Sequence, residues 1–420
     1  MTETSITEKV TLLDEPGRIH NLTPEQEKKL KDMWTQILIH TGHLPNDLTS
    51  TPSLSEHPLT SKRGWFKRSD EPTANEDPIA LAKAFSDPVE GISSSDLIDT
   101  LFFMIKTDRP DNFLLRFLRA RKWDVKEALA TIATSLNWVF HSHSADILKK
   151  GDLGFIRENY DGMLLQLKSG KCWLAGHDYH GRPVLQVQPS KHDPNAQSTE
   201  TIEDFAVYVV ESARLSFKTP VDTITVIFDM SGFSLSNMDY AAVKFIIQCL
   251  EYHFPESLGI LFIHKAPWIF SGIWSIIKNW IDPVVASKVK FSKSSNDLSE
   301  HIPLEFISRE LGGNNPSEYK FIEPDPNEND LMNDFSKRDE ILATRQKLRE
   351  NFISTTIDWI NSTTESDNDA NRKKKMELSD DLYANLWEAD PYVRARTIFD
   401  RNGFIELMEE LHEKNWPKGS

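Results

Sequence analysis

Residues able to carry covalent chemistry are few and scattered in this 420-residue chain. Asp229, closing the apolar run that begins at Ile224, has the best placement for a lone acid or base. An Asp-x-x-Gly after a strand also describes a turn whose carboxylate accepts backbone amides, and that reading is preferred. Ser231-Gly232 follows the same run, yet the GxSxG spacing that strains a nucleophilic serine is missing. His177 and His180 flank HDYHGRP, where neutral imidazoles can bind metal, but a solvated hairpin tip suits them better. His253 and His264 read as structural histidines at a helix end and a strand end. Neither GxxxxGK[ST] nor GxGxxG occurs, so a nucleotide-phosphate loop is not expected. The expectation is a protein with no catalytic residue, no metal and no cofactor, hence not an enzyme.

Two stretches point to a different chemistry. WIFSGIWSIIKNWI, from Trp268 to Ile281, leaves almost no polar face: Trp268, Phe270, Ile273, Trp274, Ile277, Trp280 and Ile281 surround it. A helix apolar all round is either fully buried or meets lipid, and tryptophans suit a boundary with water. The second stretch, Leu114 to Trp123, sets Arg116, Arg119, Arg121 and Lys122 within ten residues of an acidic protein. Such cations either pair with phosphate or extend along the outside of a helix whose other side is core.

The elements that must position these residues follow from capping and periodicity. Thr23-Pro24-Glu25-Gln26 is a capping-box start for a helix to about His40. Residues 44–77 are rich in Pro, Ser and Thr, contain the basic aromatic island Ser61 to Ser69, and read as a mobile linker. From 78 to 145 the pattern is helical, with Asp111 a candidate cap. Beyond Gly151 short apolar runs at Cys172–Ala175, Val184–Val187, Ile224–Phe228 and Ile260–Ile263 alternate with helical stretches near 201–217, 239–253 and 268–281. This predicts an α/β domain over 146–315 with a mixed, largely parallel sheet opened by a hairpin. The extension 316–420 holds two expected helices around a polar, disordered Asn361–Lys375. From residue 321 onward it carries 22 acidic and 14 basic residues.

Composition narrows the function further. A formal charge of −16 argues against coating nucleic acid, since phosphate neutralisation needs dense Lys and Arg. With 39% hydrophobic residues the chain can bury a large core, and two cysteines make a disulfide framework improbable. The polar start and the interrupted stretch Gly259 to Trp280 predict neither a signal peptide nor a bilayer span. A cytoplasmic protein is expected.

On the residues LLRFLRARKWDVKEA, GHDYHGRPV, ITVIFDMSGFSLSNMD, the segment Tyr252 to Phe291 and IPLEFISRELGG, the chain resembles the CRAL-TRIO lipid-transfer family, in particular its yeast secretory phosphatidylinositol-transfer branch. The resemblance covers residues 95 to 313. It implies helices enclosing an apolar lipid cavity, with Trp268 to Ile281 as its gate. It also implies headgroup contacts at Arg121, Lys122, Glu256 and Lys288, the cations answering phosphate while Glu256 accepts inositol hydroxyls. A threonine usual in the family is Val285 here. The serine and threonine of the family's choline site correspond to Ile224 and Val226, which with Phe228 would line the cavity and cannot bond a buried phosphate. The implied ligands are phosphatidylinositol and, in place of phosphatidylcholine, a squalene-like or sterol-like lipid. Transient contact with endosomal, endoplasmic reticulum or mitochondrial membranes and a protein partner of the C-terminal tail complete the expectations. Against them stand a lipid-sensing scaffold and a hydrolase built on Asp229.

Overall fold

Capping residues set the first helix in the computed structural model, which describes residues 15–45, 77–142, 144–316 and 319–415. Helix α1 (Pro24–His40) begins on the Thr23/Gln26 capping box and buries Leu30, Met33, Trp34, Ile37 and Leu38. Helices α2 (Pro78–Ser86), α3 (Ser94–Ile105), α4 (Pro110–Ala120) and α5 (Val125–His141) close around that stripe in one apolar core. Asp111 does not cap α4. Arg109 holds the cap position and Pro110 the first turn, while Asp111 turns inward to accept from Trp34 Nε1 (2.7 Å) and Lys375 Nζ (2.8 Å). Residues 46–76 of the linker, its basic island included, lie outside the described residues.

Helices α6 (Ser144–Arg157, kinked at Gly151) and α7 (Asp161–Ser169) lead into the sheet. Strands β1 (Cys172–His177) and β2 (Pro183–Val187) form the expected hairpin. Strands β3 (Ile224–Asp229), β4 (Leu258–His264) and β5 (Val289–Ser292) then add in parallel, in the order β1-β2-β3-β4-β5. The crossovers are α8 (Thr199–Leu215), α9 (Tyr240–Gln248) with a π turn at Cys249–His253, and α10 (Phe270–Ile277) with α11 (Pro283–Ser287). Helix α12 (Ser295–Ser299) and the loop to Gly313 cover the second face. Strand β5 is an addition to the sequence reading, being four residues long with Lys290 in its alternation. The gate stretch is helical only from Phe270 to Ile277, with Trp268 and Trp280 in flanking turns.

The C-terminal extension is ordered where disorder was expected. Helix α13 (Phe335–Ile360) pairs with α14 (Glu365–Val393), so residues 365–375 are helical. Their polarity is satisfied by partners far away in sequence: Lys31 Nζ donates to Asn368 Oδ1 (2.7 Å), Arg372 lies 3.3 Å from Glu27, and Lys375 reaches Asp111. Phe352, Ile353, Trp359, Leu378 and Leu382 complete the core of the N-terminal helices. Helices α15 (Ile398–Arg401) and α16 (Phe404–Asn415) cross to the sheet domain and pack with β1 and α8.

Candidate functional site

Register alone builds an apolar surface. Pairing aligns Cys172 with Val187, Leu174 with Leu185, Leu185 with Val226, Val187 with Phe228, Val226 with Leu261, Phe228 with Ile263, and Leu261 with Val289. Side chains alternate along a strand, so these residues and Ile224 share one face of the sheet, which is apolar across all five strands. Ile224 and Val226 are buried in it, and Phe228 lies half-buried where the α8 and gate-helix clusters meet. Leu185, Val187, Phe228, Phe245, Leu258 and Leu261 are only half-buried although helices cover this face. Close-packed cores cover such positions completely, so the space above β2 to β4 is incompletely filled by protein.

The gate helix lies over the β4–β5 end of this face. Phe270 and Ile273 are buried against Ile263, Met230 and Phe233, with Trp274 and Ile277 packed beside them. Trp274 also meets Phe291 edge-on at 5.6 Å, and Trp280 meets Tyr240 at 6.1 Å, leaving Ile281 half-buried after the helix. Outward, Trp268 is 87% exposed and Phe291 54%, with Ile276 and Val284 also exposed. From His264 to Lys293 the chain carries five lysines and one aspartate, against −16 overall. Large apolar side chains exposed within a lysine-rich segment suit an interaction surface better than an ordinary solvated face. Phe291 and Lys290 were missed by sequence reasoning. Their only signal was the alternation in Val289–Ser292.

At the β4 start the structure joins two of the four implied headgroup residues. Lys288 Nζ donates to the Leu258 carbonyl (2.9 Å) and lies 3.7 Å from a Glu256 carboxylate oxygen, both side chains about one-quarter exposed. Glu256 holds a left-handed conformation (φ 55°), costing about 1–2 kcal/mol for a residue with a Cβ, and its carbonyl accepts from Arg116 Nη1 (3.1 Å). Arg121 sits on the same junction, donating to Thr131 Oγ1 (2.8 Å) with its guanidinium 5.5 Å from the Tyr252 ring. Lys122 is exposed beside it in a turn where Lys122 and Trp123 both take positive φ.

The arginine cluster therefore divides. Arg116 and Arg119 point inward with Arg18 around the buried Asp222, Arg116 also bonding Asp108 (2.7 Å). Burial and the neighbouring Arg18 push Arg119 down to about 10. Only Arg121 and Lys122 face the junction's outside. The π turn that leads to Glu256 is pinned to α5: His253 stacks on Trp138 at 4.1 Å, and Ser135 Oγ donates to the Tyr252 carbonyl (2.6 Å). Burial takes His253 down to about 4, so it stays neutral near pH 7.

Asp229 and His264 each bond a near neighbour. Asp229 Oδ1 accepts from the Ser231 amide (3.0 Å), the turn expected of it, and His264 Nδ1 bonds Ser292 Oγ. Burial lifts the Cys172 thiol to about 12, so it stays protonated near neutrality. Among the described residues, no group of three or more His, Cys, Asp or Glu gathers as a metal site, and no helix is long and apolar enough to cross a membrane.

Comparison with known proteins agrees with this geometry. The CRAL/TRIO domain matches residues 167–313, and the CRAL/TRIO N-terminal domain matches residues 80–133. The chain is 37% identical to "Phosphatidylinositol transfer protein CSR1" of Eremothecium gossypii, over 93% of this chain and 99% of that protein. It is 36% identical to "CRAL-TRIO domain-containing protein C3H8.02" of Schizosaccharomyces pombe, over 93% of this chain and 92% of the relative. A mouse protein named "Alpha-tocopherol transfer protein-like" is 30% identical over 52% of this chain and 62% of its own length. With a sheet whose apolar face is loosely filled and a hydrophobic helix at its edge, the chain belongs to the CRAL-TRIO lipid-transfer family.

Proposed function

We propose that the chain extracts phosphatidylinositol from one membrane and delivers it to another, and that it loads a neutral apolar lipid, squalene-like or sterol-like, in place of phosphatidylcholine. The observation that carries this is the Glu256–Lys288 pair beside an apolar sheet face, an arrangement with the polarity of an amphiphile. A phosphodiester entering there takes Lys288 as its partner, and the displaced Glu256 carboxylate accepts inositol hydroxyls. Arg121 and Lys122 add positive charge on the same side. Deeper in, Ile224 and Val226 offer a phosphocholine group no hydrogen bond, and leaving a buried polar group unpaired costs several kcal/mol. An all-carbon chain meets no such penalty. The names of two relatives, one for phosphatidylinositol and one for tocopherol, fit both ligand classes.

Lipid mass spectrometry on protein purified from a yeast host tests the proposal. Phosphatidylinositol with squalene or sterol, and little phosphatidylcholine, is the expected content; an empty protein would refute it. In a liposome assay phosphatidylcholine transfer should stay near background, and robust transfer would remove the second ligand from the proposal. Delivery also requires docking, from the cytoplasm, on a membrane such as that of the endosome, endoplasmic reticulum or mitochondrion. Trp268 with the lysines of the same segment provides the contact. Trp268→Ala should weaken cosedimentation with anionic vesicles about tenfold or more, since burying a large apolar side chain contributes about 1.5–3 kcal/mol. Unchanged vesicle binding would place the docking surface elsewhere.

A further inference from the structure

The C-terminal extension contributes to the same apolar cluster as the sheet. In α16, Phe404, Ile405 and Met408 are buried and Leu411 partly so, spaced to form one stripe along the helix. That stripe meets the sheet at β1 and belongs to the apolar cluster that also holds Leu174, Ile224, Val226, Phe205 and Tyr208. Cluster density is uneven. Leu174 of β1 and the stripe on α16 are covered, whereas Leu185 and Val187 of β2, Phe228 of β3 and Leu258 and Leu261 of β4 remain half-buried. The half-buried side chains thus run over β2 to β4, between the gate at β4–β5 and α16 at β1. Four strand spacings separate those ends, about 19 Å.

Ties on its other sides make α16 a fixed element rather than a lid. Arg401, just before it, pairs with the buried Asp152 and with Glu328 (3.0 Å). Glu409 accepts from Tyr383 Oη (2.7 Å) and lies 3.6 Å from Lys218. Arg394 bonds both Asp390 (2.6 Å) and Asp400 (2.7 Å), locking the turn that aims the helix. The segment is seated on Gly151, where a Cβ would come within 2.7 Å of Ala395 Cβ and of the Arg396 carbonyl. His412 is buried on the helix's last turn, and burial pushes it down to about 3, so no charge forms there near neutrality.

We infer that α16 is the end wall of the lipid chamber and that its apolar stripe, centred on Met408, sets the length of the lipid accepted. The inference rests on the transfer reading above and extends it to a segment outside the matched family domains. A tail entering at the gate runs across the sheet until it meets this wall, so the wall's side chains determine how many carbons fit.

The test uses the full-length protein as Met408→Ala and Met408→Phe, each purified from the same yeast host with its lipid, beside the unaltered chain. Thermal melting monitors the fold, and mass spectrometry reads the chain-length distribution of the bound lipid. Met408→Ala should shift the distribution toward longer chains by about two to three methylenes, the volume given up by the side chain, and Met408→Phe toward shorter ones. If either variant fails to fold, Leu411→Ala and Leu411→Phe, at the half-buried end of the stripe, should shift it in the same two directions. Folded, loaded variants with an unchanged distribution overturn the wall and leave the transfer reading standing. An empty unaltered protein overturns the transfer reading and the wall with it.

Discussion

Lys288→Ala should lower phosphatidylinositol transfer roughly ten- to a hundredfold while the protein still loads its apolar ligand. The lysine is one-quarter exposed at the end of the apolar face and has Glu256 within 3.7 Å, so it is the cation best placed for an incoming phosphodiester. A hydrogen bond to a charged group contributes about 1.5–3 kcal/mol, and each 1.4 kcal/mol is a factor of ten. An apolar lipid makes no use of that charge, so its loading should change little. Liposome transfer of phosphatidylinositol and mass spectrometry of co-purified neutral lipid separate the two outcomes. Equal loss of both ligands would mean that the bond from Lys288 Nζ to the Leu258 carbonyl is the side chain's main role.

Lys375→Ala should be the most destabilising single change, by about 3–5 kcal/mol. Its side chain is 1% exposed, with the ammonium 2.8 Å from Asp111 Oδ1 and 3.9 Å from the centre of the Trp359 ring. Burial pulls it below the usual lysine range and Asp111 opposes that pull. Removing the cation strands a carboxylate inside the core, which is the costly way to break a buried pair. At about 2–4 °C per kcal/mol the melting temperature should fall by roughly 10 °C. The double substitution Lys375→Met with Asp111→Asn should recover most of that loss, because no charge remains to be neutralised. A melting temperature within 2 °C of the parent for Lys375→Ala, read by circular dichroism, would contradict the role given to this pair.

What could be read ahead of the structure was local. The Thr23/Gln26 box, the Gly181 hairpin and the Ile224 to Asp229 run carry their signals within a few residues, and each element formed where those signals lie. What could not be read depends on distant partners. Residues 361–375 look disordered because their polarity is unexplained until Glu27, Lys31 and Asp111 arrive from the other end of the chain. The spacing of Arg116, Arg119, Arg121 and Lys122 announces a cationic helix end, but only the buried Asp222 decides which two turn inward. Strand β5 is too short for periodicity to mark, and its exposed Phe291 becomes meaningful only beside Trp274. Glu256 and Lys288 carried no signal of their own; the family resemblance named them, and the structure brings them together.

The shared core of α1 and the α13–α14 hairpin has a consequence for biosynthesis. The rings of Trp34 and Phe352 meet at a tilt, 5.8 Å apart, yet the ribosome makes them roughly 320 residues, or about 15–65 s, apart. Throughout that interval the first helices emerge with a large apolar flank uncovered, and no contact encoded nearby can cover it. Chaperone holding should therefore matter for the nascent chain, and truncation from the C-terminal side should reduce yield through aggregation of the earliest-made helices.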